Sequence, residues 1–186
     1  MLLILVLGIF LIAGACGAYL WMRTYDTDNA RKSNEGAPQS LAQPAFRNEP
    51  ITITVYYPVN GILLAGAVSV KRQPDTQAQA RETLAAAFSD QRAAQTAVFR
   101  DIRLRAFYLD GQGTAYIDLA PSHLRDISAS AWEEFLALSA MVNTVMQNFD
   151  EIKQVRFLMD GREAQTLAGH IDLSRTFTKR MDLVKQ

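Results

Sequence analysis

The first twenty-two residues, MLLILVLGIFLIAGACGAYLWM, contain no charged side chain. A bilayer core of about 30 Å needs roughly 20 apolar residues in helical form. The run is long enough to span, and it predicts a transmembrane anchor over residues 1–22. Tyr19 and Trp21 sit near one end, where amphipathic rings favour the membrane interface. Two other readings of the segment stay open. A cleaved signal peptide would normally show a basic start and a shorter apolar region, and neither is present. The stretch AGAC before Gly17 resembles a lipoprotein cleavage box, which would place lipid on Cys16, although Ala13 stands where leucine is usual. Cys16 is the one cysteine of the chain, so no internal disulfide can form and the redox compartment is not readable from it.

Every charged side chain lies after the span, and the 19 basic and 19 acidic residues cancel. A general polyanion binder would carry a basic excess, so no nucleic acid partner is expected. Arg23, Arg31 and Lys32 come soon after the span. Taken alone, the positive-inside tendency would keep residues 23–186 in the cytoplasm, but long domains translocate regardless of flanking charge. Residues 23–50 read as a polar linker with three prolines, Pro38, Pro44 and Pro50. A flexible chain of that length separates its ends by about 30 Å. Residues 51–180 then have the size of one domain with its own core, and residues 181–186 form a short C-terminal tail.

Periodicity inside that domain predicts alternating strands and helices. Ile51, Ile53 and Val55 alternate with Thr52, Thr54 and Tyr56, the period of a half-buried strand. Pro58, Asn60 and Gly61 punctuate the chain before a second strand, ILLAGAVSVKR. Pro74 and Asp75 open a helix, with Thr76 and Gln79 at capping-box spacing and Leu84 and Phe88 on one face. AVFRD reads as a connector. A hairpin comes next, in which Ile102, Leu104, Ala106 and Tyr108 alternate with Arg103, Arg105, Phe107 and Leu109. Asp110, Gly111 and Gly113 supply its turn. Ser130 and Glu133 make a second capping box, ahead of Phe135, Leu138, Val142, Val145, Met146 and Phe149 at helical spacing. KQVRFLMD gives a last strand, turned by Asp160 and Gly161. Strands outnumber helices and each helix lies between strands, which predicts a two-layer α+β domain: a mostly antiparallel sheet with two packed helices.

These blocks carry a resemblance. FYLDGQGTAYIDLA, MVNTVMQNFDEIKQVRFLMDG and LAGHIDLS, in this order, resemble the successive blocks of the GerMN domain family. The likeness covers most of residues 51–177. It implies a membrane-tethered, extracytoplasmic bacterial domain in the cytoplasmic membrane, similar to the ring-building modules of envelope complexes, with no known catalytic activity and with cell-envelope proteins as partners. A homo-oligomer is one arrangement such modules take. This chain carries one copy, whereas GerM itself carries two, so a ring-forming or sporulation role does not transfer with the fold.

The stretch FLMDGREAQTLAGHIDLS, residues 157–174, looks like chemistry at first sight. As a base, His170 with Asp172 would need a nucleophile, water or metal brought in by the fold. His123, Asp118 and Asp172 could join it around Zn²⁺, but no two ligands lie at a spacing that shares one helical face. No Gly-x-Ser-x-Gly elbow and no glycine-rich phosphate loop is present. The residues are better read as structure: Asp110, Gly111, Gly113, Asp160 and Gly161 as turns, both aspartates accepting from local backbone, and Gly169 as a tight bend. His170 then bonds a neighbouring loop, and Asp172 lies in an exposed turn. No catalytic residue, cofactor or metal is expected. Arg103, Arg105 and Arg156 predict a basic stripe on the outer face of the sheet, either a solvated surface or a docking face for an acidic partner or wall polymer. Three functions stay in play: an envelope interaction or scaffold module, linked through the resemblance to sporulation or germination; a ligand-binding domain for wall glycan or a small solute; or an envelope hydrolase using His170 and His123.

Overall fold

The structure, a computed structural model, describes residues 49–122 and 127–186; the apolar run 1–22, the linker up to residue 48 and His123 lie outside these. Two sheets are present. Strands β1 (Pro50–Val59) and β2 (Ile62–Lys71) pair antiparallel, with Ile53 opposite Val68 and Val59 opposite Ile62. The two residues between them, Asn60 and Gly61, both have positive φ (51° and 81°), the backbone that a two-residue hairpin turn needs to match strand twist.

The second sheet has the order β3-β4-β5. Strands β3 (Ile102–Leu109) and β4 (Thr114–Pro121) are antiparallel, and β5 (Gln154–Met159) runs parallel to β4. A parallel neighbour cannot be reached by a tight turn, so the chain crosses over through a helix. The α+β architecture and the mostly antiparallel pairing are as expected from the sequence, but the strands divide between two sheets where one was expected, because β1 and β2 pair only with each other.

Among the described residues three α-helices complete the domain: α1 (Thr76–Ser89), the short α2 (Ala97–Asp101) and α3 (Ala131–Asn148). The segment AVFRD, read as a connector, is thus a helical turn, capped by the Thr96 hydroxyl accepting from Phe99 N. At α1 the cap is Asp75 rather than Thr76. Its carboxylate accepts from Ala78 N at 2.8 Å, while Gln79 reaches back to Gln73 N and Lys71 O. At α3 both arms of the Ser130–Glu133 capping box are made.

Helix α3 is the centre of the domain. From Leu136 to Val145 every residue is buried, as is Glu134. A stripe of six apolar residues understates this, because the helix packs against β1 on one side and against β5 and α1 on others. Three of its polar side chains, Asn143 and Thr144 buried and Asn148 half-buried, bond to backbone distant in sequence. Asn148 Oδ1 accepts from Thr54 N at 3.0 Å and its Nδ2 donates to Thr54 O at 2.6 Å. The Thr144 hydroxyl accepts from Tyr56 N at 3.0 Å. Asn143 embraces Arg180 through both its backbone N and O, at 2.7 and 2.9 Å. The last residues therefore do not hang free: Val184 bridges to Leu63, and Lys185 N donates to Leu63 O at 2.9 Å.

One expectation about β3 fails at a single residue. The register shifts between Leu104 and Ala106, so Arg105 is the extra residue of a bulge and the alternation changes phase there. Phe107 is consequently buried at 3% exposure and Tyr108 exposed at 48%, the reverse of the strict alternation. The β3–β4 turn ends on Gly113, at φ +87°, where a Cβ would lie 2.5 Å from the carbonyl oxygen of Glu151. Gly113→Ala is expected to cost about 2–4 kcal/mol, combining left-handed strain with a backbone clash. Urea unfolding of the full chain measures it, and a cost below that range would mean that the turn opens readily.

Candidate functional site

The loop after β5 is the chemistry-like stretch, and a residue outside it organises it. Glu134, near the start of α3, is fully buried and accepts four backbone N–H groups. Oε1 takes Leu167 N and Ala168 N, both at 2.9 Å; Oε2 takes His170 N at 2.9 Å and Ile171 N at 3.2 Å. A buried charge needs this number of partners, since an uncompensated one costs several kcal/mol. Gly169, at φ +97°, lets the chain bend so that amides on both sides of it converge on one carboxylate. Leu167 and Leu173 turn inward from the same loop, and Leu173 N closes it on Gln165 O at 2.8 Å.

The ionisable residues singled out from the sequence lie around this loop in separate local arrangements. His170 is exposed, and its Nε2 stands 3.0 Å from Ala129 O, the carbonyl just before the α3 cap. Asp172 accepts from the Ser174 hydroxyl and backbone and from Arg175; the Ser174 hydroxyl leads in holding its carboxyl below the usual range. Asp110 accepts from Thr114 N and Gln112 N, and the Thr114 bond leads in lowering its pKa. At the second Asp-Gly turn the acceptor is different. Asp160 has φ 50°, but the N–H of Gly161 donates to Asp118 on the neighbouring strand at 2.8 Å. Among the described residues no group of three His, Cys, Asp or Glu could hold a metal ion.

Arg103, Arg105 and Arg156 do reach the outer face of the three-stranded sheet, but two of them have intramolecular partners. Arg105, in the bulge, pairs with the buried carboxylate of Asp118, which raises the guanidinium pKa further. Arg156 donates to Glu163 at 2.9 Å and to Ser174 O at 3.4 Å. Arg103 is exposed. The stripe is thus part of the fastening of the 160–175 loop as much as a surface.

Sequence reasoning missed a different surface. Trp132, in the first turn of α3, is 49% exposed, yet its indole is fixed: Nε1 donates to Gly61 O at 3.0 Å. Its ring lies 5.5 Å from that of Phe135, and the Arg180 guanidinium sits 5.4 Å from the Phe135 centroid. Ile62 is next to Gly61 and Met181 next to Arg180; both are among the four exposed large hydrophobics of the described residues, at 39% and 45%. The turn of β1–β2, the start of α3 and the C-terminal segment thus build one aromatic corner. The signal in the sequence was a tryptophan just after a helix cap, outside the apolar stripe.

The family model for sporulation and spore germination matches residues 54–165. The chain belongs to that family. The match takes in the first two of the blocks that resemble GerMN domains and ends just before the third, LAGHIDLS. Among solved structures, the tandem GerMN domains of the sporulation protein GerM from Bacillus subtilis share 16% identity with a TM-score of 0.50, over 72% of this chain and 48% of that one. The first GerMN domain of the same protein gives 15% identity and a TM-score of 0.49, over 71% of this chain and 99% of that one. At such identity the likeness is one of fold. No curated protein matches the chain significantly.

Glu134→Gln should lower stability by about 2–3 kcal/mol, because the amide nitrogen meets N–H donors where an oxygen accepted them. His170→Ala loses one exposed bond and should cost about 1 kcal/mol or less. Denaturant melts of both variants test the order; equal costs would show that the carboxylate is not the anchor of the loop.

Proposed function

We propose that this member of the sporulation and germination family is a membrane-tethered interaction module of the bacterial cell envelope, non-catalytic, with its domain on the extracytoplasmic side. The uncharged run 1–22 would anchor it and the polar linker 23–50 would hold the domain clear of the lipid. The aromatic corner carries the reading. Protein interfaces concentrate their energy in a few tryptophan, tyrosine and arginine residues, with methionine and phenylalanine enriched around them. Trp132 is held in place before any partner arrives, so little side-chain entropy is lost on binding. The buried carboxylates, by contrast, serve the fold: Glu134 clasps a loop and Asp118 ties a bulge to a turn.

Trp132→Ala should reduce recovery of envelope partners from solubilised membranes about tenfold or more while the unfolding midpoint stays near that of the parent. Unchanged recovery would remove the corner from the interface. Sidedness is tested with a single reporter, Cys16→Ala combined with Ser40→Cys. A small membrane-impermeant maleimide should label it in intact cells; labelling only after lysis would put the domain in the cytoplasm and end the envelope reading.

A further inference from the structure

Met181 opens a short 3₁₀ turn (Met181–Leu183), and the backbone on both sides of it is fastened. Asn143 holds Arg180 through N and O, and Lys185 N donates to Leu63 O at 2.9 Å. The Met181 side chain is thereby delivered to β1, where the Tyr56 hydroxyl donates to its sulfur at 3.9 Å. Tyr56 is only 4% exposed, and among the described residues this sulfur is the one acceptor its hydroxyl meets. A thioether is a weak acceptor, so a buried donor is left only partly satisfied. Burial also pushes the Tyr56 phenol pKa up, which keeps its proton in place.

Met181 itself is open to solvent. It is 45% exposed, whereas Met141 is buried at 1% and Met146 and Met159 are half-buried. An oxidant that meets the folded domain therefore reaches Met181 first among the described methionines. With a peroxide the chemistry closes on itself. The sulfur attacks one peroxide oxygen, a sulfur–oxygen bond forms and the oxygen–oxygen bond breaks. Sulfur is oxidised by two electrons and the peroxide is reduced. The transferred oxygen gives up its proton, the departing hydroxide takes it, and one water is released. Sulfur carries two lone pairs, so the one that faces the hydroxyl leaves the other for the peroxide.

We propose that Met181 is a site of peroxide modification whose sulfoxide oxygen is captured by the Tyr56 hydroxyl, so that oxidation tightens the C-terminal segment on the domain. A sulfoxide oxygen accepts far more strongly than a thioether sulfur. An O–H···O bond spans about 2.7 Å, and the 3.9 Å between hydroxyl and sulfur leaves the room that one sulfur-bound oxygen, tilted off the line, takes up. Oxidation of a packed methionine puts a polar group into an apolar core and loosens it. Here the polar atom is added to an exposed side chain that already faces a weakly bonded donor. Methionine sulfoxide reductases return the sulfide, one enzyme for each epimer, so the modification is reversible.

The test treats the full chain in detergent micelles with dilute hydrogen peroxide and follows each methionine peptide by mass spectrometry. Met181 should oxidise about fivefold faster than Met146 and Met159, or more. The melting temperature of the oxidised parent should rise by about 2–4 °C. Tyr56→Phe keeps the ring in its packing and removes only the hydroxyl; its melting temperature should not rise on oxidation. Met181→Leu, treated alike, should show no shift, which separates the effect from the other methionines. Without any variant, the Lys185 amide should exchange more slowly after oxidation and regain its starting rate after reductase treatment. Every readout uses the chain alone, so the outcome is separate from partner binding at the aromatic corner. The proposal is overturned if Met146 or Met159 reacts as fast as Met181, if oxidation leaves the parent's melting temperature unchanged or lowers it, or if it shifts the parent and Tyr56→Phe alike.

Discussion

The carboxylate of Glu134 is the point on which the C-terminal third of the domain turns. A loop that leaves β5 and returns to pair with its edge must bend sharply, and its amides then face inward without strand or helix partners. One buried acid satisfies four of them. The arrangement is reciprocal: the charge is tolerated in the interior because the amides solvate it, and the amides are tolerated there because the charge accepts their bonds. With the loop fixed, Phe177 is delivered to Val155, Arg180 to Asn143, and the final residues to the edge of β2.

The same device recurs along α3. Asn143, Thr144 and Asn148 each bond backbone from another part of the chain, and none of them turns to solvent in the way their chemistry suggests. A central helix with only apolar side chains would pack the sheets but leave strand edges and the C-terminal segment unbonded. Here it does both. The consequence is a domain in which ionisable and amide groups are concentrated where the backbone is irregular, which resembles an active site in composition and differs from one in geometry. The aromatic corner at one end of α3 is left exposed for contact.

Local rules were legible in the sequence and non-local ones were not. The alternation of β1 from Ile51 to Val55, the Asn60–Gly61 and Gly113 turns and the Ser130 capping box each depend on neighbours within a few residues and appear where their patterns lie. Tyr56, on the polar side of the β1 pattern, is instead buried with Val55 and Tyr57. The phase change in β3 was not legible, because a bulge adds one residue without altering composition, and the bulged Arg105 pairs with Asp118 on the next strand. Likewise Glu134 reads as one of two acids in a first turn, a common stabilising placement. Its burial results from amides more than thirty positions away, in a loop whose own sequence gives no sign of where it packs. Of the residues that drew notice, His170, Asp110, Asp160 and Asp172 are peripheral while Asp118 is buried in the fastening of the bulge, and the tryptophan that did not is half-exposed and fixed.

The central claim is that residues 165–173 form a fixed part of the core rather than a mobile catalytic loop. Amide hydrogen exchange of the full chain, read residue by residue, tests it most directly. Surface loops exchange through local opening, at low cost, whereas amides bonded to a buried group exchange only with cooperative unfolding. Protection of Leu167, Ala168, His170 and Ile171 at the level of the buried amides of α3 is the predicted result. Exchange of those four at the rate of exposed loop amides would show that Glu134 does not hold them, and the structural reading of the stretch would fail with it.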